Sequence, residues 1–272
     1  MQAHIELQPP AGVMALLRNQ FCRWRSEPKH LGLEWAHYSS ACPPLLFLGG
    51  RGVAAETVPL ITVSIEPLRT HHFEAQIAQA ASSIEAYVDW NWSYFNVFPR
   101  VVGGVVQPYW RNMVEFGEGW SSARIALASP WSSFGEFMIE LPYVPMHAPR
   151  HVPRACRAAH HALNHLFVAR VDALVDIWPD AMFVVLSSAV RRQLERAKLL
   201  HDLRPLDMRM SPAERDLYGN GFSKPVLVGR LATRARPRVA VRNGPFSHHT
   251  NPRSAGRREL GRRIRELVGR PE

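Results

Sequence analysis

Apolar and polar positions along the chain follow two periods, and each period predicts a set of elements. Ala11–Arg25 carries Val13, Leu16, Leu17 and Phe21 at helical spacing, which predicts a first helix. Pro43–Gly50 is a short apolar run closed by two glycines and reads as a strand. Pro59–Ile65 (PLITVSI) is continuously apolar and β-branched, as a strand buried on both faces must be. Glu66-Pro67 ends it, because proline cannot donate to a ladder. Phe73–Val88 has helical spacing, Asp89–Arg100 (DWNWSYFNVFPR) reads as an aromatic irregular loop, and Pro108–Gly117 as a short helix. Gly135–Tyr143 (GEFMIELPY) predicts a second buried strand stopped by a proline, and Arg154–Ile177 a long helix. Ala181–Ser187 (AMFVVLS) predicts a third strand, and Ser188–Leu200 a helix. Pro225–Val228 and Arg238–Val241 read as short strands, and Asn251–Val268 as a final helix broken by glycines and lined with arginine.

Apolar strands alternating with helices predict an α/β fold, a central parallel sheet covered on both faces. Ligands of such sheets bind beyond the carboxyl ends of the strands. Three segments leave strands there with polar residues: Ser64-Ile65-Glu66-Pro67, Glu140-Leu141-Pro142 and Arg242-Asn243-Gly244-Pro245-Phe246-Ser247. Gly49-Gly50-Arg51-Gly52 lacks the Gly-Lys-Ser/Thr ending of a phosphate-binding loop, so it does not predict nucleotide binding. No internal repeat is visible.

At 272 residues and 46% hydrophobic, the chain can bury one sizeable core rather than two. The expected division is an N-terminal helical extension, 1–42, packed on a single α/β domain, 43–272, that ends in a basic segment. No apolar run approaches the roughly 20 residues of a membrane span. Met1–Pro10 has neither a basic start nor an apolar stretch, so a cytoplasmic location is expected. Three widely spaced cysteines, Cys22, Cys42 and Cys156, predict reduced thiols and exclude a disulfide framework or a four-cysteine cluster. His161 and His165 have a zinc-compatible spacing but no third ligand at a matching distance. Neither a metal nor a cofactor is expected.

Charge adds a partner. Gly229–Arg270 holds twelve arginines against Glu259 and Glu266, a surplus of ten, and that equals the net charge of the whole chain. Guanidinium forks match phosphate oxygens, so this block reads as a footprint for nucleic acid.

The three polar segments, in this order, resemble the motifs of the uracil-DNA glycosylase superfamily. That family's first motif reads Gly-Gln-Asp-Pro-Tyr, and Ser64-Ile65-Glu66-Pro67-Leu68 stands in its place. A second family strand ends in asparagine, where Phe137-Met138-Ile139-Glu140 ends in glutamate. The last motif reads His-Pro-Ser-Pro-Leu-Ser before a helix, matched by Arg242-Asn243-Gly244-Pro245-Phe246-Ser247. Trp178-Pro179-Asp180 before the third strand also fits. The likeness runs in order and spacing from about Pro43 to Val268, and every motif departs from the family at some position. It implies a single three-layer domain on a four-stranded, mostly parallel sheet. It also implies a metal-independent enzyme that extrudes a base from double-stranded DNA and hydrolyses its glycosidic bond, and a monomer is expected.

The departures imply the substrate. Glu66 takes the place of the water-activating carboxylate. Glu140 replaces an amide that both donates and accepts. A carboxylate only accepts, which suits the exocyclic amine of cytosine and repels uracil O4. Leu68 stands where uracil-specific members block the 5-position with tyrosine, leaving room for a 5-substituent. A 5-modified cytosine, as in phage DNA, is the base this implies, with antiviral defence as the setting. Phe246 takes the wedge position that holds the stack open. Arg242, or His248 or His249 close by, takes the role of the group that stabilises the departing base. Phe73, Trp92 and Phe95 are candidates for the platform on which the base stacks. Asn243, Ser247, Arg253 and Arg257 are candidate DNA contacts. A uracil-excising repair enzyme and a non-catalytic nucleic-acid-binding module are the alternatives. A two-metal nuclease is disfavoured, because acidic residues do not cluster.

Overall fold

The computed structural model describes residues 9–27, 41–64, 74–93, 101–102, 105–106, 108–121, 135–146, 163–206, 211–218, 225–242 and 254–266. The described helices are α1 (Ala11–Ser26), α2 (Glu74–Ser82), α3 (Ile84–Trp92), α4 (Pro108–Ser121), α5 (Asn164–Val175), α6 (Ser188–Arg196), α7 (Pro212–Tyr218) and α8 (Ser254–Arg265). The strands are β1 (Leu60–Ser64), β2 (Val101–Val102), β3 (Val105–Val106), β4 (Met138–Pro142), β5 (Met182–Val185), β6 (Leu200–Pro205), β7 (Val226–Leu231) and β8 (Arg238–Arg242).

The fold is α/β, but its main sheet is six-stranded and mixed rather than four-stranded. Its order is β4-β1-β5-β8-β7-β6, and β2 and β3 form a separate antiparallel pair. β4, β1, β5 and β8 run mutually parallel, whereas β7 pairs antiparallel with β8, and β6 with β7. The parallel four are the apolar runs that periodicity predicts. Antiparallel neighbours need only a short turn, so β7 joins β8 directly and extends the sheet. β6 has no counterpart among the expected elements, and the helix expected over Ser188–Leu200 ends at Arg196. The β6 sequence, LHDLRP, is exposed or half-exposed throughout, so no apolar pattern marks it as a strand.

Several boundaries move for identifiable reasons. The Phe73–Val88 helix is two helices, divided where the Ser83 side chain accepts a hydrogen bond from the Ala86 amide and caps α3. Asp89–Trp92 is helical, not loop. Asn91 there accepts from the Leu46 and Phe47 amides at 2.7 and 3.2 Å and so anchors the 43–48 segment. That segment was expected as a strand. It forms one antiparallel bridge, Leu48 to Glu140, and covers the β4 edge. Pro142 is the last residue of β4 rather than a stop before its end.

α1 is not a separate appendage. Val13, Leu17, Phe21 and Trp24, at helical spacing on one face, belong to the same buried core as β1 and β5. Arg170 on α5 is fully buried and donates to Leu46 O, Pro142 O, Tyr143 O and Leu166 O. One guanidinium therefore ties the carboxyl end of β4 to the covering segment. Burial lowers its pKa to about 9, partly offset by Tyr87 and Tyr143.

α4 and α8 cross closely. A Cβ on Gly119 would lie 1.8 Å from Arg258 O, and one on Gly261 would lie 2.2 Å from Phe116 O. The glycines therefore do not break α8. They remove the side chains that would hold the two helices apart.

Candidate active site

The register of the parallel strands defines two rows on one sheet face. Glu140 lies beside Thr62, Thr62 beside Val184, and Val184 beside Ala240. Directly opposed residues of neighbouring strands share a face, and the side-chain period is two. The next row toward the carboxyl ends therefore holds Pro142, Ser64 and Arg242 on that same face. Glu140 forms part of the lower row, two residues inside β4, rather than the strand end that the sequence suggested.

Both charged members of these two rows are buried: Glu140 is 6% exposed and Arg242 2%. Burial lowers the Arg242 pKa to about 10, which still leaves the guanidinium charged at neutral pH. Glu140 is fixed on its outer side by two backbone hydrogen bonds with Leu48, of 2.8 and 3.0 Å. β4 and β8 stand three strand spacings apart, about 14 Å. Thr62, Val184 and Ala240 line the face between them. Thr62 Oγ1 is buried and makes no hydrogen bond among the described residues. Such a hydroxyl costs roughly 1–3 kcal/mol unless something satisfies it. Sequence reading missed Thr62, because threonine is an ordinary strand residue and only the register sets it beside Glu140.

Glu66, Leu68, Phe73, Phe95, Asn243, Phe246, Ser247, His248, His249 and Arg253 lie outside the described residues. In sequence, Glu66 follows β1 by two residues, and Asn243 follows β8 directly. Trp92, a candidate stacking platform, is used inside the fold. It stacks on Trp178 with ring centres 6.2 Å apart, and Gly50, at φ 131°, packs so close that a Cβ would sit 2.6 Å from its ring. The glycine-rich segment is thus a seat for Trp92.

The arginines of α8 were expected at phosphates. Instead carboxylates engage them. Arg257 pairs with Glu115, and both side chains are about 15% exposed. Arg258 pairs with Glu118 at 2.6 Å. Arg262 and Arg263 converge on Glu259 at 2.5 and 2.6 Å, Arg262 also meets Glu266, and Arg263 reaches Glu214 at 3.7 Å. Arg265 lies over the Trp120 ring, 5.1 Å from its centre. Glu259 is held below the usual carboxylate range, first by its hydrogen bond from Arg262. Arg257 is therefore part of the α4–α8 joint.

A cleft of about 310 Å³ lies elsewhere, lined by Met14, Arg18, Arg51, Glu85, Asp89 and Trp92 among others. Within it Arg51 donates to Asp89 at 2.9 Å and to Ser93 at 2.8 Å. It brings none of the sequence-predicted residues together except Trp92. Among the described residues, no three potential metal ligands converge and no helix is long and apolar enough to cross a membrane. No family model, curated protein or solved structure matches this chain.

Proposed function

We propose that the chain is a DNA glycosylase that takes a 5-substituted cytosine-type base out of the duplex and hydrolyses its glycosidic bond. The observation that carries this reading is the shared face of Glu140 and Arg242. A buried carboxylate and a buried guanidinium flank a strip of small and hydroxylated side chains near the carboxyl ends of a parallel sheet. The segments with Glu66 and Phe246 continue from the same ends of β1 and β8.

In this reading Glu140 accepts from the exocyclic amine, and the Thr62 hydroxyl donates to the ring nitrogen beside it. That pair of contacts fits the cytosine edge and opposes the uracil edge. Glu66 takes the proton of a water that attacks C1′. The glycosidic bond breaks, its electron pair leaves with the base, and Arg242 stabilises the resulting negative charge. Phe246 fills the vacated stack. The products are a free base and an abasic site.

Glu66→Gln is expected to lower base release by about 100-fold or more while DNA affinity stays within a few-fold. Glu140→Gln is expected to lower release of the cytosine-type base and to raise relative tolerance of uracil. Thr62→Val keeps the shape and is expected to cost about tenfold in kcat/KM. Full release by the Glu66 variant, or an unchanged cytosine-to-uracil ratio in the Glu140 variant, would overturn the assignments.

A further inference from the structure

The outer edge of β4 is covered by residues 44–49, all of them buried. Their backbone groups are met from three directions. Tyr87 Oη on α3 donates to Pro44 O at 2.6 Å, and the Leu45 amide donates to Pro145 O at 2.7 Å. Asn91 Oδ1 accepts from the Leu46 and Phe47 amides, and Arg170 on α5 donates to Leu46 O at 3.1 Å. The Gly49 amide donates to Asn91 O at 3.0 Å. The segment is therefore pinned on both sides of Leu48, which is itself 4% exposed. Moving it would break several buried hydrogen bonds together.

Leu48 and Glu140 exchange both backbone hydrogen bonds, so they stand directly opposite and their side chains leave on one face, about 5 Å apart at Cβ. Glu140 stands beside Thr62 in turn. The row at the candidate site thus begins one place outside β4 and reads Leu48, Glu140, Thr62. Cytosine has a matching order around its ring: N3, then C4 with its amine, then C5. With Thr62 at N3 and Glu140 at the amine, C5 turns toward Leu48.

We infer that Leu48 meets the 5-substituent of the extruded base and determines which substituent the site accepts. This rests on the proposed excision of a cytosine-type base and narrows its substrate. The resemblance leaves the 5-position open at Leu68, and none of its motifs includes Leu48. The boundary comes from the register. Leucine sets polarity as well as size. A methyl group packs against it, whereas a hydroxyl turned toward it loses water and gains no partner. The site therefore favours a 5-methyl over a 5-hydroxymethyl group. Because the wall is pinned, a larger group is not accommodated by moving it.

The test is release from duplexes carrying cytosine, 5-methylcytosine or 5-hydroxymethylcytosine at one position, with the freed bases quantified by mass. The wild type is expected to release the methylated base about tenfold faster than the hydroxymethylated one. Leu48→Ala is expected to shift that ratio about tenfold toward 5-hydroxymethylcytosine, because room for one more group in a pocket is worth about that much. Leu48→Phe is expected to shift release from both substituted bases toward plain cytosine. Leu141→Ala truncates a leucine that is equally buried but on the other face of β4, and it is expected to keep the wild-type ratio. This control separates lost packing from lost contact. Circular dichroism melts verify folding, and Leu48→Val, with a smaller shift of the same sign as Leu48→Ala, decides if that variant does not fold. If the wild type releases a substituted cytosine and the folded Leu48 variants keep its ratio, the inference alone is overturned. An equal shift in Leu141→Ala, or a wild-type preference for 5-hydroxymethylcytosine, also overturns it. A wild type that releases no cytosine-type base overturns the excision reading itself, and this inference with it.

Discussion

Two regions of this protein are rich in arginine, and they arrange it differently. On α8 each described arginine meets a carboxylate or an aromatic ring, and two of the glutamates come from α4, some 140 positions away in the chain. The helix is cationic in sequence, yet most of that charge is engaged in joining α8 to α4. On β6–β8 the cations come from three strands: His201, Arg230 and Arg238 stand in register, and Arg204 opposes Val228. A local surplus of charge therefore does not by itself mark a binding surface.

The largest expected effect tests the joint between α4 and α8. Gly119→Val forces a side chain into the Arg258 backbone and is expected to cost about 3 kcal/mol or more in urea unfolding. Normal stability would mean that the helices do not cross this closely. Next comes the enclosed ion pair. Glu115→Gln leaves the Arg257 guanidinium enclosed without its carboxylate, at a cost of about 2 kcal/mol. A double-mutant cycle with Arg257→Met measures the coupling, and additive losses would break the account.

The pH dependence is a smaller effect with a definite sign. Glu259 has a folded pKa below its ordinary 4.5, owing first to Arg262. Its contribution is therefore fully present above 4.5 and is lost as pH falls through the lower folded value. Stability measured from neutral pH into acid is expected to converge for wild type and Glu259→Gln. A gap that stays constant would show that ionisation of Glu259 adds nothing. The smallest effect tests α8 against DNA directly. Arg262→Gln/Arg265→Gln is expected to leave the DNA salt slope near the wild-type value and to change stability by less than about 1 kcal/mol. A slope shallower by about 1.8 would make these two arginines phosphate contacts.

The elements legible in the sequence were those with an unbroken physical signal. β1, β4, β5 and β8 are largely apolar runs, and each stands within three residues of its expected bounds. β6 was illegible because it is polar and its alternation is reset by Asp202. The helical end of α3 was hidden because Trp90, Asn91 and Trp92 look like loop aromatics, yet they are buried inside the fold. At the candidate site, Glu140 and Arg242 could be named because each ends an apolar run, although β4 continues past Glu140 to Pro142. Thr62 could not be, because its significance lies in a cross-strand neighbour 78 positions away. The partners of the α8 arginines were invisible for the same reason, since periodicity reports faces and not contacts.

The central claim is excision of a cytosine-type base. Its most direct test is to incubate the wild-type protein, in the presence of a chelator, with duplexes carrying cytosine, 5-substituted cytosines or uracil, and to identify released bases by mass. The account predicts release of a 5-substituted cytosine, little or no release of uracil or plain cytosine, and an abasic site in the recovered strand. Release of uracil alone, or of no base from any duplex, would contradict it.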